Sequence, residues 1–470
     1  MSVAEVEPAL ETTSTSGPVR AGSIGLFGAT MLVIGNMIGS GVFLLPSSLA
    51  KYGSVALLGW VFTGVGAVLL ALVFARLGHA IPSVGGPYAY TRAAFGDFMG
   101  FWIAWGYWIG IWAGNAAIVV AGVGYISYFV PALSEQRLLT GVAAVAVIWL
   151  LTLVNAFGVR QGSIVTNITT VVKLVVLVGV AVTGLLMADW SRFLPFNPSG
   201  EGFFFALGAS ATLTLWAFTG LESATVLGGQ VKDAQRTIGR ATMLGTMAAT
   251  AVYLASTMAV MGALPRGELA DSAFPFAAAA EEMFGGAGGA IVAVGAIIGT
   301  FGTANGWIML QGQVPLAAAT DKLFPARFSR VTGRGVPIFG LLLSSILASV
   351  LVMFDSAGKG LAQVFTAIIL LATLTILVPY AFSAGAQIYF LATDPGRFSG
   401  RRLGVSLAVA GLAFAYSVWA IYGAGAETVM LGFILLLLGI PVYIWLRWKQ
   451  VPLAGRQADD DDAQRPSDGD

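Results

Sequence analysis

The chain has 470 residues, 57% of them hydrophobic and only 10% charged, against about 25% charged in an average soluble protein. With a mean hydropathy of +0.84, this is the composition of a polytopic membrane protein, and a formal net charge of +1 gives no electrostatic footprint for a nucleic-acid partner. The absence of cysteine excludes disulfides, thiol catalysis and thiolate metal sites.

The stretch through Gly22 is polar and mixed in charge. It lacks an apolar core followed by a cleavage site, so it is expected to be a cytoplasmic tail (1–22) and not a signal peptide. Windows of about 20 apolar residues, the length that spans a bilayer, predict twelve membrane helices. They run roughly over 23–50, 54–80, 97–130, 138–157, 163–187, 203–231, 237–263, 286–319, 336–355, 362–391, 403–423 and 428–447. The third and eighth are long enough to require tilt or extra turns. The single histidine, His79, falls at the polar end of the second segment and reads as solvated or interfacial.

The first segment contains Asn36-Met37-Ile38-Gly39-Ser40-Gly41. Each Gly costs about 1 kcal/mol against Ala inside a helix, and unpaired peptide groups in hydrocarbon cost several kcal/mol each. A break here therefore either lines a cavity, where its free amides form a socket for an anion such as a carboxylate, or serves close helix packing. In the third segment Tyr107, Ile111, Asn115 and Ile118 share one face. Beside them Gly106, Gly110 and Gly114 form a ladder for tight packing. Asn115 is then either a site residue or an interhelical hydrogen-bond partner, and Tyr107 either a site residue or core.

Lys173 lies mid-segment in the fifth helix, and Glu222 follows a second break, Trp216-Ala217-Phe218-Thr219-Gly220-Leu221, in the sixth. A charge at the membrane centre costs at least about 2.5 kcal/mol, so both are functional candidates. Glu222 could hold a proton, contact a cationic substrate indirectly, couple helix motion to occupancy, or satisfy local amides. Lys173 could stand where a sodium ion binds, lose a proton, or tether backbone carbonyls. Trp216 and Trp307 sit centrally in their segments and could cover a substrate or bind a cation through the ring face; membrane tryptophans also serve as interfacial anchors. No Ser/His/Asp set, metal cluster or phosphate loop is visible, so no enzyme activity, metal or cofactor is expected.

The two breaks lie five helices apart, which reverses the direction of crossing. This is the layout of a 5+5 inverted repeat with broken helices 1 and 6 meeting at the midplane, with repeats about 23–187 and 203–391 followed by helices 11 and 12 at 403–447. With both termini inside, eighteen of the 24 Lys and Arg fall on the cytoplasmic side and five outside, in keeping with the positive-inside rule. The transporter domain is expected over 23–450, and 451–470 as an acidic, disordered cytoplasmic tail around Asp459–Asp462.

Asn36 through Pro46, Gly85-Gly86-Pro87-Tyr88-Ala89-Tyr90, Tyr107-Trp108, Trp112 with Asn115, Trp216 through Glu222, and Gly306-Trp307 together resemble the basic amino acid/polyamine antiporter family of the amino acid–polyamine–organocation superfamily, in particular its arginine/agmatine branch. The likeness covers about residues 20–450. It implies that Ile38, Gly39, Ser40 and Gly41 take a substrate α-carboxylate and that carbonyls near Trp216 and Thr219 take the α-amino group. It further implies that Trp216 caps the substrate, Trp307 lines the lower site, Asn115 contacts the substrate side chain, and Tyr107 helps form the inner gate. Glu222 would link pH to transport, and Tyr88 matches a position tied to pH response. Thr219, Ile118 and Ala372 replace the Ile, Met and Ser of the arginine/agmatine branch at the side-chain end of the site, and Lys173 resembles the helix-5 lysine of proton-coupled permeases.

The expected function is secondary active transport of an amino acid, as an amino acid/amine antiporter working by alternating access in the plasma (inner) membrane. A proton-coupled symporter using Lys173, and a non-transporting sensor or channel, are the other readings. The expected partners are a small amino acid or amine, protons and the lipid bilayer, with a homodimer suggested by the resemblance.

Overall fold

Hydrocarbon offers no water to peptide groups, so a chain this apolar can satisfy them only within helices or a closed barrel. The computed structural model is helical, and it describes residues 24–356, 361–398 and 402–450. The two expected cytoplasmic tails, 1–22 and 451–470, lie outside the described residues.

The first segment is two helices, α1 (Leu26–Met37) and α2 (Ser40–Ala50), followed by α3 (Val55–Ala80) and α4 (Pro87–Ile126). A short α5 (Ala132–Glu135) precedes α6 (Arg137–Ala156) and α7 (Val159–Leu186). The sixth segment comprises α8 (Phe203–Thr214), a 3-10 turn over Leu215–Phe218, and α9 (Ser223–Val226). Then come α10 (Ala234–Ala263), the short α11 (Arg266–Asp271) and α12 (Pro275–Phe284), and α13 (Gly286–Thr320). The chain closes with α14 (Ile338–Ser356), α15 (Leu361–Thr393), α16 (Pro395–Phe398), α17 (Leu403–Gly423), α18 (Ala426–Leu437) and α19 (Gly439–Gln450). Among the described residues eleven spans are long and apolar enough to cross a membrane, and Ile338–Phe354 is a shorter apolar helix. The protein is a multi-pass membrane protein of the expected all-helical class.

Two boundaries differ from the sequence reading. The third span starts at Pro87, ten residues before the expected 97, because Pro sits at the first helical position and Gly96 bends the helix at φ 84°. The sixth ends its helical course at Val226, short of the expected 231, and residues 228–230 form a 3-10 turn. Just beyond, Ile24 pairs with the 230–232 strand-like segment, its N–H donating to Gln230 O at 3.0 Å and its carbonyl accepting from Lys232 N at 2.9 Å. The entrance to the first broken segment is thus fastened to the exit of the second.

The core is organised on α4, which packs along α13 and α15, while α10 packs on α3 and α7. The most apolar stretch of α4 is 83% buried, against 22% for Ala426–Gln450, which places α18 and α19 at the periphery. The glycine ladder explains the close approach. A Cβ at Gly106 would strike Leu436, one at Gly110 would strike Thr375, and one at Gly114 would lie 3.3 Å from the Trp216 ring.

Candidate functional site

The first break is built from the end of α1. Ile38 (ψ 89°) and Gly39 (φ −127°, ψ −140°) leave the helix, and α2 starts at Ser40. The first amides of a helix have no intrahelical acceptor, and here no side chain caps them. The Ser40 hydroxyl is buried beside them with no hydrogen-bond partner among the described residues. Gly39 also serves packing, since a Cβ there would sit 2.8 Å from Thr303 on α13. At Gly41 a Cβ would lie 3.2 Å from the Trp216 ring. Break and close packing are thus realised together.

The carbonyls left at the C-terminal end of α1 are met by Lys173. Its ammonium donates to Ile38 O at 2.5 Å, Gly35 O at 2.7 Å and Thr303 Oγ1 at 2.7 Å, with Gly299 O at 3.4 Å. Thr303 Oγ1 also lies 2.7 and 2.8 Å from Gly35 O and Ile38 O. Lys173 is fully buried and is held by oxygen dipoles at a helix C-terminus, where a cation is favoured. Of the alternatives open from sequence, the tether to backbone carbonyls is the geometry present.

The second break crosses the first. After the turn at Leu215–Phe218, Thr219 is extended and Gly220 takes φ 100°, its position abutting the Asn36 backbone. Trp216 O is engaged by Thr219 N at 3.2 Å and Thr219 Oγ1 at 2.8 Å, and Ala217 O by the Tyr253 hydroxyl at 2.7 Å. The Thr219 side chain is therefore folded onto its own turn. Asn36 Nδ2 donates to Ser223 Oγ at 2.8 Å, and Trp307 Nε1 donates to Asn36 O at 3.0 Å.

Glu222 is fully buried between two phenols. Tyr107 donates to Oε1 at 2.5 Å and Tyr380 donates to Oε2. Tyr380 also accepts from Gly220 N at 3.1 Å, so it ties the carboxyl to the glycine of the second break. Asn115, one turn pair beyond Tyr107 on the same face, donates from Nδ2 to Gln311 Oε1 at 2.8 Å, and its own oxygen has no partner among the described residues. Gln311 is fixed in turn by Nε2 bonds to Ser345 Oγ at 2.8 Å and Leu341 O at 3.2 Å.

Tyr88 stands apart from these residues. Its hydroxyl donates to Asp321 at 2.7 Å, within a network in which Arg92 pairs with Asp321 and Asp97 and Arg447 pairs with Asp97. The structure therefore brings Ile38 to Gly41, Trp216, Thr219, Trp307, Tyr107, Glu222 and Lys173 around the two breaks and leaves Tyr88 at the far end of α13. Sequence reasoning missed Tyr380, Thr303 and Gln311. Each carried the same available signal, a polar side chain in the middle of an apolar helix, and Thr303 and Gln311 also flank the Gly306-Trp307 pair.

A family model described as amino acid permease matches residues 24–444. The chain is 36% identical to a cadaverine/lysine antiporter of Escherichia coli (strain K12), over 79% of this chain and 84% of that one. It is 31% identical to the putrescine transporter PotE of the same strain, over 90% and 96% respectively. With two broken helices meeting at a buried polar cluster and a family match along nearly its whole length, this chain belongs to the amino acid permease family.

Proposed function

We propose that this chain is a secondary antiporter that exchanges a basic amino acid for a related amine across the inner membrane. The observation that carries the reading is the first turn of α2: its amides are uncapped and, among the described residues, the buried Ser40 hydroxyl has no partner, with Trp216 against the adjoining Gly41. A carboxylate is the group such a helix start accepts. The antiporter name of a relative of similar length supports the exchange. The symport alternative is the weaker one, since antiport is what that name gives.

In this reading Ile38, Gly39, Ser40 and Gly41 hold the carboxylate and Trp216 closes over it. Trp307, Asn115 and Thr219 line the remainder. An occupied socket stabilises the closed arrangement, and only loaded carrier then reorients, which is the differential binding that alternating access requires. Glu222, with Tyr107, couples the second break to proton availability, and Lys173 fixes the end of α1 against α13. Tyr88 acts through its Asp321 and Arg92 contacts at the far end. Both termini lie in the cytoplasm, in keeping with the charge bias, and the assembly is a homodimer.

The test is exchange in proteoliposomes. Uptake of labelled lysine, arginine or ornithine is expected only when the vesicles hold an amino acid or its decarboxylated amine. Uptake into empty vesicles driven by a proton gradient would overturn antiport. Crosslinking in native membranes reads the dimer, and tag accessibility reads the termini.

A further inference from the structure

At the membrane ends of α3 and α10 lies a groove of about 760 Å³, lined by Arg76, His79, Arg236 and Arg240, with Gln235 and Phe398 at its rim. Among the described residues no acidic side chain lines it. Its cations are weakly engaged. Arg76 reaches Ser406 O only at 3.5 Å, Arg236 is 4.0 Å from exposed Asp233, and among the described residues no ion pair holds Arg240. Three guanidiniums line one groove with no carboxylate among its described lining residues, so an anion bound there would offset their mutual repulsion.

A second observation says what kind of anion. Arg236, Arg240, Leu244 and Met247 succeed one another along one face of α10. Leu244 and Met247 are 52% and 56% exposed. The face therefore runs from cations at the helix start to bare apolar side chains deeper in the membrane. A soluble anion would use only the first half of that face, whereas an amphiphile uses both.

We propose that this groove binds the phosphate headgroup of an anionic phospholipid, with an acyl chain lying along Leu244 and Met247. Guanidinium forks match phosphate oxygens two at a time, and basic pockets between helices at the headgroup level are suited to such lipids. No residue of the two breaks lines the groove, and its ligand is distinct from the transported substrate.

The experiment is native mass spectrometry of delipidated full-length protein offered phosphatidylglycerol or phosphatidylcholine, for wild type, R240Q, R240K and R76Q/R236Q/R240Q. Wild type is expected to retain phosphatidylglycerol preferentially, with affinity falling roughly fivefold for each arginine removed and R240K, which keeps the charge but not the fork, falling between wild type and R240Q. Unchanged melting of R240Q without lipid separates lost binding from lost fold. Equal retention of both lipids, or equal retention by wild type and the triple variant, would overturn the site. Displacement of the lipid by inorganic phosphate alone would assign the groove to a soluble anion and also overturn it.

Discussion

Asn36 and Ser223 join the two interrupted helices: the Asn36 amide donates to Ser223 Oγ at 2.8 Å, from the last turn of α1 to the first residue of α9. This contact has no tolerance on its far side. A Cβ at Gly306 would run into Asn36 Oδ1. Gly306→Ala is therefore expected to push Asn36 off Ser223, destabilise the protein by about 1–3 kcal/mol and lower exchange severalfold. Gly124→Ala, at a position with open space on α4, is the control. Equal melting temperatures and rates for the two variants would refute the coupling.

Ser40→Ala tests the anion socket by comparing two substrates. Hydrogen bonds to charged groups contribute about 1.5–3 kcal/mol, so KM for the amino acid is expected to rise roughly tenfold or more. The decarboxylated amine has no carboxylate and should keep its KM. Parallel losses for both would place the hydroxyl outside the carboxylate site.

Trp216→Leu removes the ring that lies against Gly41 and Gly114. Exchange in proteoliposomes is expected to be abolished while the protein still inserts and purifies. Near-normal rates would count against closure by this side chain.

Lys173→Met leaves the carbonyls of Gly35 and Ile38 without their ammonium donor. The Thr303 hydroxyl, within reach of both, can donate to only one of them, so one buried acceptor is left unpaired at a cost of about 1–3 kcal/mol, and a clear fall in melting temperature should accompany loss of exchange. A folded variant of wild-type stability would show that the tether contributes little.

Tyr380→Phe deprives Glu222 of one phenol and Gly220 of its acceptor, whereas Tyr107→Phe deprives only the carboxyl. The first is expected to be the more damaging to stability and rate. Glu222→Ala should flatten the pH dependence of exchange in radiotracer assays. A retained profile would remove the carboxyl from proton coupling.

The sequence by itself determined the class of molecule and the places where its helices fail. Length and hydropathy gave the spans, because a bilayer imposes one helix length, and Gly39, Gly41 and Gly220 marked the breaks, because glycine in an apolar helix needs a reason. It also marked Lys173 and Glu222, since a charge in an apolar run is conspicuous whatever surrounds it. Only the tertiary structure decided their partners. Lys173 lies 135 positions from Ile38, and Tyr380 lies 158 from Glu222. Such pairings depend on which helices become neighbours, and no local pattern encodes that. The separation of Tyr88 from the two breaks is a fact of the same kind, fixed by where α13 ends and Asp321 stands.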